Sequence, residues 1–293
     1  MRLKALICLL CLLTFLYFGC SQQTSCEVAA TTLPVYQFTS AICEGTGIAV
    51  TQLITQQVSC LHDYTLNVSQ AQTLESAKVV VISGGGLEEF MEDTLSQANC
   101  VIDSSQGVPL LECKEHHDEH SLHEGHQHEQ DAHIWLSPKN AKIMSSNIAQ
   151  GLAQIYPQHA VRFQHNLEIL HQQLDELEQY GQHRLETLSS RDMITFHDGF
   201  GYFADAFDLH ILEAIEEESG SEASARELKD MIGIVREHQL PAIFTEVSGS
   251  VSAADIIAAE TGTKVFSLDM AMAGDDYFEA MYHNIDTVRE AMK

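Results

Sequence analysis

Short apolar runs alternate with stretches of helical spacing twice along this chain, and one long helical stripe separates the two copies. The first copy has strand-like runs at 28–33, 48–54, 78–83 and 100–103, with helical spacing at 34–44, 69–77 and 87–98. The second has strand-like runs at 193–196, 209–213, 242–245 and 264–268. Helical stretches lie near 202–207, 223–238, 252–261 and 276–292. Strand–helix alternation implies parallel sheets with covering helices. The expected fold is therefore α/β, with two strand–helix lobes at 27–156 and 191–293.

The segment between them, 157–190, carries Phe163, Leu167, Leu170, Leu174, Leu177, Leu185 and Leu188 in steps of three and four, with Gly181 filling one turn. Pro157 opens it, where a first helical turn tolerates proline. About 30 residues at 1.5 Å each span roughly 45–50 Å, enough to run along both lobes. A dimerising coiled coil would need a longer heptad run. The segment reads as one rigid helix joining the lobes of a monomer.

The first residues set the compartment. Arg2 and Lys4 precede an apolar run from Ala5 to Phe18, which ends at Gly19-Cys20 and polar residues. This describes a secretory signal over 1–19, and the run is short of the roughly 20 residues that span a bilayer. A cysteine after the small residue marks lipidation at Cys20, with 20–26 as a tether. The protein is then expected on the periplasmic or extracellular face of the cytoplasmic membrane, touching it through the anchor alone. Five further cysteines, Cys26, Cys43, Cys60, Cys100 and Cys113, are scattered without a C-x-x-C pair. A thiolate zinc knuckle is thus not expected, and an oxidising compartment could close at most two disulfides of open pairing.

The formal net charge is −27, and removal of the basic leader makes the remainder more negative still. Such a chain repels nucleic acid and anionic surfaces and attracts cations. Residues 115–130, EHHDEHSLHEGHQHEQ, hold six histidines and five acids with Leu122 as their one aliphatic, and cannot build a core. His116, His117, His120, His123, His126 and His128 are spaced to chelate cations weakly, as an auxiliary collector or sensor.

A zinc site needs three or four deprotonated N, S or O donors on a tetrahedron. In a doubly wound lobe, ligand clefts form past the carboxyl ends of strands. Four residues answer to that placement: His62 in QQVSCLHDY, His133 in DAHIWLSP, His197 in FHDGFGYF and Asp269 after KVFSL. Two come from each lobe, which puts a metal in the interlobe cleft. His159, His165, His171, His183, His210, His238 and His283 sit in helices or at strand starts and read as surface or structural.

The contexts LHDYTLNVSQAQTLESAKVVVISGGGLEEFMED, DAHIWLSPKNA, ITFHDGFGYFADAF and IFTEVSGS…ETGTKVFSLD together resemble the periplasmic zinc-binding proteins of bacterial zinc ABC importers. The resemblance covers nearly the whole mature chain. It implies two strand–helix lobes, a rigid connecting helix and one metal between the lobes. It also implies delivery of that metal to an ABC permease and its ATPase. His62, His133 and His197 take the three histidine positions, and Asp269 the acidic position after the last strand. The chain departs at Leu61, where some zinc members carry Glu, and around Val68 and GSEASA, where prolines are missing. Met270 also replaces the usual Pro or Ser. Manganese members have a carboxylate where this chain has His197, and three imidazoles suit Zn2+ better than hard manganese. Cu2+ would bind at least as well on intrinsic affinity, so selectivity would rest on geometry and supply.

The expected function is high-affinity zinc capture outside the cytoplasmic membrane and delivery to a permease, without enzymatic activity. A manganese or iron receptor of the same family is the alternative. A zinc-dependent hydrolase would use the same three imidazoles with an open fourth position, but no general base or oxyanion donor set accompanies them. An adhesin reading lacks an exposed aromatic patch.

Overall fold

The computed structural model describes residues 26–56, 61, 64–112, 130–216, 223–247, 249, 251–272 and 274–293. In the N-terminal half, β1 (Val28–Ala30), β2 (Val50–Gln52), β3 (Val79–Ile82) and β4 (Val101–Asp103) form a parallel sheet in the order β2-β1-β3-β4. In the C-terminal half, β5 (Asp192–His197), β6 (His210–Glu216), β7 (Ala242–Glu246) and β8 (Lys264–Leu268) repeat the pattern as β6-β5-β7-β8, again parallel. All eight strands lie where the apolar runs place them. The inner strands β1 and β7 are buried along their length, as expected when helices cover both faces of a sheet.

The covering helices of the first half are α1 (Leu33–Cys43), α2 (Val68–Ser76), α3 (Glu92–Leu95) and α4 (Pro138–Ile155). A 3-10 turn at Pro157–His159 leads into the 25-residue α5 (Ala160–Arg184). The second half adds α6 (Gly201–Ala206), α7 (Ala225–His238), α8 (Ser252–Thr261) and α9 (Tyr277–Ala291).

Three elements differ from the sequence reading. The segment 87–98 is not one helix but a 3-10 turn at Glu89–Met91 followed by the single turn α3. Gly84, Gly85 and Gly86 all have positive φ, and the Glu88 carboxylate folds back to the end of β3, so the chain turns before a helix can propagate. The 18-residue α4 was not anticipated, although Ala141, Met144, Ile148, Ala149 and Leu152 form its buried stripe. The long helix stops at Arg184 rather than near 190. The Arg191 guanidinium donates to the Leu185 carbonyl 3.1 Å away, placing a cation on its unsatisfied C-terminal end.

The α5 stripe Phe163, Leu167, Leu170, Leu174 and Leu177 is buried as its spacing predicts. The helix packs on α1 and α4 of the first lobe and on α9 of the second. Gly181 is where it meets the second lobe: a Cβ there would lie 2.1 Å from Cε1 of Phe207. The main apolar cluster runs through the first lobe, along α5 and into the inner side of the second. A smaller cluster around Ile194, Phe196, Val235, Ile243 and Ile257 fills the outer side of the second sheet.

The lobes are stitched together at fully buried Trp135. Its indole N–H donates to the Met270 carbonyl at 2.8 Å, and its own carbonyl accepts from the Tyr277 hydroxyl at 2.8 Å. Tyr277 stacks edge-on against Phe38 of α1, and burial pushes its phenol well above the ordinary range. The Leu33 N–H donates to the Met272 carbonyl, adding a backbone tie across the same seam. Among the described residues no helix is long and apolar enough to cross a membrane. Cys26, Cys43 and Cys100 are free thiols, with burial pushing that of Cys43 up to about 12, while Cys60 and Cys113 lie outside the described residues.

Candidate metal centre

Two of the four expected ligands meet at the seam between the lobes. His133 follows an isolated bridge between Glu112 and Gln130 and precedes a 3-10 turn at Ile134–Leu136, rather than ending a strand. His197 is the last residue of β5. Both are buried, and their rings meet edge-on with centroids 5.0 Å apart. Their Nε2 atoms are 3.3 Å apart.

Each ring has a carboxylate facing its other nitrogen. The Asp131 carboxylate lies 2.8 Å from His133 Nδ1 and also accepts the His133 backbone N–H at 2.8 Å, a short-range Asx arrangement. Asp131 is itself placed by Tyr202 of α6, whose hydroxyl donates to the Asp131 carbonyl and accepts from the Leu111 N–H. On the other side, Oε1 of buried Glu246 is 3.4 Å from His197 Nδ1. Neither carboxylate was assigned from sequence. The D-x-H spacing of Asp131 and His133 was a usable signal. Glu246 had only a weak one, since its place beside His197 depends on the pairing of β5 with β7.

A carboxylate beside Nδ1 favours the tautomer protonated there, and in that tautomer each Nε2 presents a lone pair. Two lone pairs at this separation need a cation or a shared proton between them. Two nitrogens bound to a tetrahedral zinc at 2.0–2.1 Å stand roughly 3.3–3.4 Å apart, which is the spacing found. Carboxylate-supported imidazole is also the usual outer arrangement of zinc-binding histidines.

Gly199 and Met270 lie against the His197 ring. A Cβ on Gly199 would lie 2.8 Å from His197 Nε2 and 2.8 Å from the Met270 methyl, so glycine there leaves the ring its place. Asp269 directly follows β8, but its carboxylate accepts the Ala271 N–H at 2.7 Å, and its backbone is clasped by the Asn284 side chain. Among the described residues no three His, Cys, Asp or Glu side chains converge as a metal-holding group, so Asp269 does not join the histidine pair here.

His62 lies outside the described residues, as do Cys20 and the auxiliary histidines His116, His117, His120, His123, His126 and His128. The chain on either side of His62 is nevertheless anchored. The Gln70 amide donates to the Leu53 carbonyl and to the Tyr64 hydroxyl, and the Tyr64 hydroxyl donates to Gln56.

The pair of parallel sheets and the connecting helix agree with what comparison shows. The profile of the family described as zinc-uptake complex component A, periplasmic (ZnuA), matches residues 28–291. The chain belongs to this family. A ZnuA crystal structure superposes with a TM-score of 0.78 at 30% identity, covering 91% of this chain and 99% of that one. The structure of FpvC from Pseudomonas aeruginosa in complex with Mn2+ gives 0.77 at 25% identity, covering 91% and 97%. The zinc-binding protein AdcA of Streptococcus pyogenes is 26% identical over 90% of this chain and 55% of its own length, so the chain spans about half of that relative. ZnuA-family proteins are metal-binding receptors of ABC importers and not enzymes, which removes the hydrolase reading.

Proposed function

We propose that this chain captures Zn2+ outside the cytoplasmic membrane and delivers it to an ABC permease driven by its ATPase. The observation that carries this reading is the facing pair of imidazole nitrogens, 3.3 Å apart and each backed by a buried carboxylate. His133 and His197 supply two donors of the tetrahedron. His62 supplies the third, and Asp269 or water the fourth; Asp269 would have to release the Ala271 N–H to do so. Zinc is favoured over manganese because two or three imidazoles form a nitrogen-rich set, whereas manganese prefers oxygen donors. AdcA is named as zinc-binding, while FpvC with Mn2+ keeps the manganese or iron receptor as the reading to test against.

The chain is further proposed to be a monomer anchored through Cys20, with residues 1–19 removed and 157–190 serving as the connection between lobes at 27–156 and 191–293. The histidines of 115–130 would act as a weak collector.

Competition titration of metal-free protein with Zn2+ and Mn2+ tests the main reading. The wild type is expected to hold one tight zinc equivalent and to prefer zinc. His197→Ala should lower zinc affinity by orders of magnitude without altering the far-UV circular dichroism. Unchanged zinc affinity in that variant removes His197 from the site, and a preference for Mn2+ in the wild type selects the alternative receptor. Zinc held only by the folded state should add about 2.7 kcal/mol at 100 times the dissociation constant.

A further inference from the structure

The two imidazole arms are supported by different means. His133 is held by Asp131, two residues away, within one turn of chain. His197 has its support on another strand. β5 and β7 are paired in parallel with Thr195 opposite Phe244, so two residues further along each strand His197 comes beside Glu246. Same-face neighbours on adjacent strands are about 4.8 Å apart, and here Glu246 Oε1 reaches to 3.4 Å from His197 Nδ1.

Glu246 is 6% exposed. A buried carboxylate is costly and is retained where it is paired or hydrogen-bonded. Its position relative to the ring limits its role. It faces Nδ1, whereas the nitrogen directed at His133 is Nε2, on the far side of the imidazole. From there it does not share a metal with Nε2, but it can dictate which nitrogen carries the proton.

We infer that Glu246 is the positioning residue of His197, accepting its Nδ1–H and so presenting the Nε2 lone pair toward His133. The inference rests on the reading of His197 as a zinc ligand. It makes the C-terminal arm of the site depend on strand register, where the N-terminal arm depends on a local turn. Carboxylates in this relation to a ligating imidazole fix its tautomer and raise its basicity, and their loss typically lowers metal affinity 10–100-fold.

Long-range 1H–15N NMR correlations on metal-free protein at pH 8 report the tautomer of His197 directly, with zinc competition titration run beside them. Wild type should show His197 protonated on Nδ1. Glu246→Ala should shift it toward the Nε2–H form and weaken zinc binding about 10–100-fold. Glu246→Gln, whose amide oxygen still accepts a hydrogen bond, should keep the Nδ1–H form and lose less affinity than the alanine variant. An unaltered tautomer and an affinity within twofold of wild type in Glu246→Ala would reduce Glu246 to a structural residue and overturn the inference. If the alanine variant does not fold, the glutamine variant decides: an Nε2–H form in either wild type or Glu246→Gln overturns it. His197→Ala in the same titration separates the premise from the inference, since undiminished zinc binding there defeats the ligand reading whatever Glu246 does.

Discussion

The two lobes carry the same sheet twice, yet they use a buried glutamate near the end of the third strand for opposite purposes. In the first lobe Glu88 lies just beyond β3 and turns inward to the backbone. It accepts the Thr31 hydroxyl at 2.6 Å, the Ser83 N–H at 2.8 Å and the Gly84 N–H at 2.9 Å. In the second, Glu246 ends β7 and turns to the His197 imidazole. The first carboxylate supplies acceptors that a tight glycine turn lacks. The second faces the ring of a histidine proposed as a metal ligand. A buried glutamate after the third strand of one sheet and one ending the third strand of the other thus face different partners, backbone and hydroxyl donors in the first lobe and an imidazole in the second.

Substituting Glu88 should break this comparison most sharply. Glu88→Ala leaves three donors at a buried site without their acceptor, and each such group costs about 1–3 kcal/mol. A loss of about 3–5 kcal/mol in denaturant unfolding is expected, whereas Glu246→Ala should change zinc binding more than stability. Comparable destabilisation by both would mean that both carboxylates are structural.

The same residue should give the first lobe a pH signature. Burial raises the Glu88 carboxyl from its ordinary 4.5 to about 7, against the pull of its hydrogen bonds. Between those values the folded chain binds the proton more tightly than the unfolded chain does. Glu88 therefore favours the folded state less and less as pH rises from about 4.5 to about 7, and its contribution is flat above. The stability difference between wild type and Glu88→Gln, measured on metal-free protein across this window, should change by a few kcal/mol. A constant difference would show that the three donors hold the carboxylate ionised throughout.

The long helix tests how the lobes differ in their hold on it. Gly181→Ala drives a methyl against the Phe207 ring and is expected to cost about 1–3 kcal/mol, the usual range for overpacking. Phe207→Leu in the same background should restore part of it. The smallest effects should come from the helix caps, one capping box in each lobe. Asn67 caps α2 with Gln70, and Ser224 caps α7 with Glu227. Alanine at either cap should cost about 1 kcal/mol. Asn67→Ala alone is expected also to weaken zinc binding, because Gln70 ties the chain flanking His62. Equal zinc affinity in the two cap variants would detach that anchorage from the site.

Local order along the chain determined much of this protein. Apolar runs of four to seven residues between helical stretches had to become strands, and parallel ones, because no short hairpin joins them. The leucine stripe of 163–177 had to become a long amphipathic helix. His197 and Asp269 stood where strands end, and that placement was legible. The wider sequence context, through its family resemblance, pointed to the metal and to the transport role. What the chain order did not contain was anything that depends on two distant segments meeting. The collapse of 87–98 into a turn follows from Glu88 reaching across to Thr31. The clasp of the Asp269 backbone by the Asn284 side chain exists only once the chain after β8 packs against α9. The support of His197 by Glu246 exists only once β5 and β7 pair in register, since a shift of one residue would send the carboxylate to the opposite face. Residue type and local spacing decide which groups are able to bind a metal. Tertiary packing decides which of them are aimed, and at what, because aiming depends on partners that the chain brings together only when it folds.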